Sequence, residues 1–204
     1  MSLALALARV DQIQRALTPR PPEPPGPAAA LGPAPTASAA SFASVLQGAL
    51  PVAPPVGLAP PGSPPIVAAA AAEVGQAEQP PGSNDSPRIA TYRQATLGSA
   101  VGPWCAYFAS WAARQAGTPL GDHGEGFGSV DALSAWAQRT GRALPNGLGV
   151  VPRPGDLIVF DEHVGIVEQV LPDGRVQTIE GNSSDRVSRN VHGAGDALGY
   201  VRMS

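Results

Sequence analysis

The sequence has no lysine, a single cysteine and few aromatic residues. All 13 basic residues are arginine, the formal net charge at pH 7 is −3, and 5% of the 204 residues are aromatic. Nucleic-acid-binding proteins present a basic surface, so this mildly acidic chain is not expected to bind nucleic acid. A lone cysteine, Cys105, excludes an intramolecular disulfide and a cysteine-rich zinc site. No run of about 18 apolar residues occurs, so no membrane span is expected.

Proline and glycine, in contrast, are abundant and unevenly placed. Each occurs 24 times, and 15 of the prolines lie between Pro19 and Pro65, whereas nine of the ten aromatic residues lie after residue 90. A segment so rich in proline and poor in aromatic residues cannot bury enough apolar surface to offset its chain entropy. We therefore predict a disordered Pro/Ala-rich linker over residues 18–65 and a folded domain over residues 66–204.

Two short islands of helical pattern interrupt the low-complexity region. Residues 1–17 have apolar residues at near-helical spacing, which predicts a short amphipathic helix. Their arginines come late, whereas a secretory signal peptide begins with basic residues, so no signal peptide is evident. Residues 41–50 place their apolar side chains on one face, and such a short helix is either plain linker or a docking peptide. Either island is a candidate binding site for a protein partner.

The folded region has a helical pattern first and a strand pattern afterwards. Helices are predicted over 66–74, 88–94, 104–116 and from a Ser129 cap to about 140, with Asn84 and Asp85 as caps of the second. Strands are predicted over 155–160, 163–170, 175–180 and about 198–202, with a hairpin turn at 172–174. This order indicates an α+β fold in which N-terminal helices pack on an antiparallel β-sheet.

Cys105 is a candidate nucleophile because of its position. It opens the strongest predicted helix, where the helix dipole and the unpaired backbone amides favour a thiolate. The same amides are suited to hold an oxyanion. The plainer interpretation, that this lone cysteine is a small buried apolar residue, stays open from its position alone.

A nucleophilic cysteine needs a base, and His163 is favoured among the three histidines. It opens a predicted strand, which holds a side chain rigidly. The predicted hairpin returns the end of the next strand beside it, so Glu180 or Asn182 can orient the imidazole. His123 lies in a glycine-rich loop and His192 in a polar stretch, where exposed histidines are common.

The loop around His123 also offers an alternative, metal-binding interpretation. Asp122, His123 and Glu125 lie close together in the sequence. They lack the paired-ligand spacing of metal sites, so no metal is expected there.

Three motifs together resemble a known family. The segments PWCAYFASW around Cys105, PGDLIVF followed by HVGIVEQV around His163, and TIEGN around Glu180 resemble those of CHAP domains. These are cysteine- and histidine-dependent amidohydrolases or peptidases of the NlpC/P60, papain-like superfamily. The resemblance covers residues 66–204, which it identifies as a CHAP-like catalytic domain, and is most specific over 102–182. It implies a papain-like fold, with Cys105 as nucleophile, His163 as general base and Glu180 as the residue that orients it. Asn182 matches a further assisting position.

The resemblance also implies a function. CHAP domains cleave amide bonds of peptidoglycan through a thioester and without a cofactor, as N-acetylmuramoyl-L-alanine amidases or as peptide endopeptidases. We therefore expect a cysteine-dependent peptidoglycan hydrolase that acts outside the cytoplasm after non-classical export. Local wall remodelling, such as that of flagellar assembly, and a toxin role are both compatible contexts. The alternative is a catalytically inactive CHAP-like module that binds peptidoglycan or serves assembly.

The sequence departs from the family pattern in two ways. Glu162 directly precedes His163, where many members have a small residue such as glycine, so its charge is expected to modulate the histidine. No wall-binding repeat is recognisable, which favours a locally recruited enzyme over a free-standing lysin.

Overall fold

The computed structural model describes residues 57–98, 100–147, 149–193 and 195–203. The helix predicted over 1–17, the segment 41–50 and the predicted linker up to residue 56 lie outside the described residues. The described chain from Gly57 onward belongs to one compact unit. Arg189 donates a hydrogen bond to the carbonyl oxygen of Leu58 at 2.8 Å, so contacts with the domain begin before residue 66.

Within the described residues, four helices precede a six-stranded antiparallel sheet. The helices are α1 (Pro65–Ala71), α2 (Pro87–Arg93), α3 (Cys105–Gln115) and α4 (Val130–Arg139). The strands are β1 (Ala143–Pro145), β2 (Leu157–Val159), β3 (Val164–Val170), β4 (Val176–Ser183), β5 (Arg186–His192) and β6 (Gly199–Val201). Their order in the sheet is β1-β6-β2-β3-β4-β5, and all neighbouring pairs are antiparallel. The predicted α+β arrangement is confirmed.

Side-chain caps set the beginnings of two helices. The hydroxyl of Ser129 accepts a hydrogen bond from the backbone N–H three residues later, as predicted, and α4 begins there. α2 is capped in the same way by Ser86. The expectation that Asn84 and Asp85 cap this helix is therefore wrong. Pro87 occupies the first helical position, where its fixed φ and missing N–H are tolerated, and this places the cap at the residue before it.

The helices pack on one face of the sheet. α3 contacts β3 and β4, and α1 and α2 pack against α3. Trp104, Phe108, Ile166 and Ile179 are among the buried residues of this main core. A smaller apolar cluster covers the opposite face, because successive side chains of a strand point to opposite sides. It consists of Ile158, Val167, Val176, Ala197 and Tyr200.

Close approach of β4 to α3 brings the end of that strand to the start of the helix. A Cβ atom at Gly181 would lie 2.5 Å from the Cβ of Phe108 and 2.8 Å from Cζ3 of Trp104. A side chain at this position would push the two elements apart. Gly181 therefore allows the residues beside it on β4 to reach the N-terminus of α3.

The structure also contains two strands that the sequence pattern did not indicate. β1 is three residues long and ends in proline. β5 pairs along β4 and buries only Val187 among its seven residues. A strand with one buried residue lacks the alternation from which strands are predicted. As a result, the position of His192 at the end of β5 was not foreseen.

No helix of the described residues is long and apolar enough to span a membrane.

Candidate active site

Three polar side chains meet where α3 and β3 begin. Cys105 is the first residue of α3, His163 directly precedes β3, and Glu180 lies in β4. Nε2 of His163 lies 2.9 Å from Oε2 of Glu180, and Cys105 is near enough to the same imidazole to raise the pKa of His163. The hairpin of β3 and β4 thus brings Glu180 beside His163.

The charge of Glu180 decides which imidazole nitrogen faces the thiol. Burial alone would raise the pKa of Glu180, but hydrogen bonds from His163, Thr178 and His192 lower it to about 2. An ionised carboxylate can only accept hydrogen bonds, so Nε2 of His163 carries a proton. Nδ1 is then the nitrogen left to exchange a proton with Cys105.

The two partners of His163 also set its charge. Burial alone would lower the pKa of His163, but its interactions with Cys105 and Glu180 raise it to about 9. An imidazolium held at neutral pH beside a cysteine is the arrangement that stabilises a thiolate. Cys105 is 4% exposed, whereas the side chain of His163 is 28% exposed, so the pair reaches solvent at its histidine edge.

Asn182 lies beside the start of the nucleophile's helix. With its side-chain amide turned to suit its neighbours, its oxygen accepts from the backbone N–H of Trp104 and its nitrogen donates to Oε1 of Glu78, at 3.2 Å each. Asn182 thus contacts the residue before Cys105.

Glu78 also contacts Trp104 and Asn182 beside the start of α3. Sequence reasoning missed this residue. Its carboxylate accepts hydrogen bonds from Nε1 of Trp104 at 2.9 Å and from the backbone N–H of Asn84 at 2.8 Å. The residue is 4% exposed. A glutamate in a turn-rich segment gives no sequence sign that it is buried.

His192 is the second residue that sequence reasoning missed. Its Nε2 lies 2.6 Å from Oε1 of Glu180, the oxygen that does not contact His163. The amide of Asn190 donates to Oε2 of Glu180 at 2.8 Å. Asn190 and His192, both in β5, therefore hold the carboxylate that also contacts His163. The interpretation of His192 as an ordinary solvent-exposed histidine is wrong, because its side chain is 24% exposed and bonded to Glu180.

Hydrogen bonds within the loop around His123, and contacts of this loop with α4, hold it in place. Asp122 accepts a hydrogen bond from Nε1 of Trp136 at 3.1 Å and pairs with Arg139 at 2.5 Å. The carboxylate of Glu125 accepts from the backbone N–H groups of Asp122 and His123. Across the described ranges, no group of three His, Cys, Asp or Glu side chains is placed to hold a metal ion.

Glu162 contacts the nucleophile through its backbone. Sγ of Cys105 lies 3.9 Å from the carbonyl oxygen of Glu162, and the residue has a φ of +56°. This is the left-handed region that favours glycine. The side chain of Glu162 is exposed. The residues that raise the pKa of His163 are Cys105 and Glu180.

A cleft of about 580 Å³ opens beside these residues, between α4 and the β1-β6-β2 side of the sheet. Ser134 lines it from α4, and Tyr200 lines it from β6. The carboxyl-bearing residues Asp131, Asp161 and Glu162 also line it, which gives the cleft a negative potential. The lining includes Glu162, the residue before His163, but neither Cys105 nor His163.

Comparison with protein families agrees with the geometry. The family model of the CHAP domain matches residues 97–182, a segment that includes Cys105, His163 and Glu180. Neither the curated proteins nor the solved structures contain a match. CHAP domains are typically cysteine- and histidine-dependent amidohydrolases that act on peptidoglycan, and placement in the NlpC/P60 superfamily is consistent with this family. Residues 97–182 are therefore similar to the CHAP domain family.

Proposed function

We propose that this protein is a peptidoglycan hydrolase in which Cys105 is the nucleophile, His163 the general base and Glu180 the residue that orients the imidazole. One observation carries the proposal: Nε2 of His163 lies 2.9 Å from a buried carboxylate oxygen of Glu180, on an imidazole whose pKa Cys105 also raises. Both partners raise the pKa of His163, which favours the thiolate–imidazolium pair that cysteine hydrolases use.

The reaction follows from the positions of these atoms. The thiolate of Cys105 attacks the carbonyl carbon of the amide, and the carbon–nitrogen bond breaks as His163 gives its Nδ1 proton to the leaving amine. A thioester remains on Cys105. His163 then takes a proton from water, the hydroxide attacks the thioester carbonyl, and the carboxylic acid product leaves as the thiolate is regenerated.

The start of α3 supplies the groups that stabilise the oxyanion. No side chain caps the first turn of this helix, so its backbone N–H groups are left for an acceptor outside the helix. These donors lie on the residues that begin with Cys105 itself. Fixed backbone dipoles at the nucleophile are the usual means of stabilising a tetrahedral intermediate.

The substrate is a wall peptide or its junction with the glycan, bound along the cleft that Glu162 helps to line. Both an N-acetylmuramoyl-L-alanine amidase and a peptide endopeptidase fit this chemistry. A wall substrate means action outside the cytoplasm, and we propose non-classical export and local wall remodelling, such as that of flagellar assembly, as the context. A protein partner bound by residues 1–17 or 41–50 would recruit the enzyme.

The test is digestion of purified peptidoglycan by the full chain, with released fragments identified by mass spectrometry. New L-alanine amino termini would identify an amidase, and new termini within stems or bridges a peptide endopeptidase. Cys105→Ala should abolish either product, whereas His123→Ala, a change in an exposed loop away from the site, should release fragments at the wild-type rate. Binding of peptidoglycan by wild type and Cys105→Ala without any cleavage would instead support the inactive binding module.

A further inference from the structure

Glu180 receives four hydrogen bonds, two at each oxygen. Oε2 accepts from Nε2 of His163 at 2.9 Å and from Nδ2 of Asn190 at 2.8 Å. Oε1 accepts from Nε2 of His192 at 2.6 Å and from the hydroxyl of Thr178 at 2.5 Å. A carboxylate offers about four acceptor sites, so this one is filled. Its rotation is therefore fixed by β5 and β4 as well as by the histidine that it orients.

His192 and His163 share two neighbours, the ring of Phe160 and the carboxylate of Glu180. Its ring centroid lies 4.6 Å from that of Phe160, and the ring of Phe160 lies 6.0 Å from that of His163. The two imidazoles thus flank one aromatic ring and bond to opposite oxygens of one carboxylate. Among the described residues, Glu180 is the ionisable group that His192 contacts.

We propose that His192 is a positioning residue: its Nε2–H holds Oε1 of Glu180 so that Oε2 stays directed at His163. The inference rests on the proposed function, because it assigns to His192 a role in the same site. Since Glu180 is ionised, Nε2 of His192 must be its protonated nitrogen. Without this donor, Oε1 keeps only the hydrogen bond from Thr178, the carboxylate is held less firmly, and the contact of Oε2 with His163 weakens.

The test uses two variants of the full chain that separate the hydrogen bond from the ring. His192→Phe keeps a ring against Phe160 and removes the donor, whereas His192→Gln keeps a donor near the position of Nε2. His123→Gln, in the exposed loop, is the matched control. The readout is the rate at which iodoacetamide alkylates Cys105 as a function of pH, which reports the thiolate directly.

His192→Phe should move the alkylation midpoint to higher pH by about one unit and lower kcat on peptidoglycan about tenfold at unchanged KM, as expected for loss of one hydrogen bond to a charged group. His192→Gln and His123→Gln should overlay the wild-type profile. A His192→Phe profile that overlays the wild type or moves to lower pH would overturn the proposal. Alkylation needs no substrate, so absence of peptidoglycan hydrolysis would count against the proposed function alone.

A measurement on the unsubstituted protein covers the case in which His192→Phe does not fold. Two-bond ¹H–¹⁵N spectra of the three imidazoles distinguish the nitrogen that carries the proton. Neutral His192 should be protonated at Nε2. A spectrum that shows the proton on Nδ1 would mean that His192 donates nothing to Glu180, and the proposal would fail.

Discussion

Gly165 and Glu180 lie face to face on β3 and β4, so close that a Cβ atom at position 165 would lie 2.6 Å from Cγ of Glu180. A carbon atom does not approach another so closely without displacement. The missing side chain at Gly165 therefore makes the space in which the Glu180 carboxylate extends towards His163.

Gly165→Ala should displace the Glu180 side chain and weaken its hydrogen bond with His163. We expect a loss of about 1–3 kcal/mol in the free energy of unfolding, as for other overpacked sites, together with a lower kcat. Urea unfolding and peptidoglycan digestion measure the two effects. Gly147→Ala is the matched control, because a Cβ there meets nothing within 4 Å. Equal stability of the two variants would show that the space at Gly165 is not needed.

Cys105→Ala should lower the pKa of His163 from about 9, because one of the two groups that stabilise the imidazolium is removed. Imidazole NMR signals followed over a pH titration measure this pKa. In the wild type the raised pKa stabilises the fold fully below pH 6.5, and this stabilisation is lost as pH rises through about 9. An unchanged His163 titration in Cys105→Ala would contradict the paired arrangement.

Glu162→Gly should stabilise the protein, because Glu162 has a φ of +56° and glycine adopts this conformation without a steric penalty. The expected gain is about 1 kcal/mol in the free energy of unfolding. Activity should persist, since Sγ of Cys105 contacts a backbone oxygen that the substitution keeps. Glu162→Gln removes the charge and keeps the strained backbone. If Glu162→Gln stabilises the protein equally, charge rather than φ is the cause.

Ser134→Phe should fill the cleft that we assign to the substrate. Ser134 lines the cleft from α4, whereas its neighbour Ala135 is exposed and does not. We expect KM for peptidoglycan to rise roughly tenfold, as for loss of a modest amount of binding energy, while iodoacetamide alkylates Cys105 at the wild-type rate. Ala135→Phe adds the same ring outside the cleft and should leave KM unchanged. An unchanged KM in Ser134→Phe would place the substrate elsewhere.

The sequence predicted the parts of the site that local patterns determine. The helical spacing of apolar residues predicted that Cys105 lies at the start of α3. The predicted hairpin turn at 172–174 indicated that Glu180 lies near His163. The contributions of Glu78 and His192 depend on tertiary contacts. Glu78 is buried by the distant Trp104, and His192 lies on a strand with one buried residue, so neither has a local pattern that would reveal it.

β6, the last strand in chain order, lies between β1 and β2 in the sheet. β1 therefore has no strand partner until the chain has been synthesised through Val201. One wall of the cleft comes from β6, so the cleft cannot form on a ribosome-bound chain that ends earlier. A chain truncated before Gly199 would therefore lack both this wall of the cleft and the partner strand of β1.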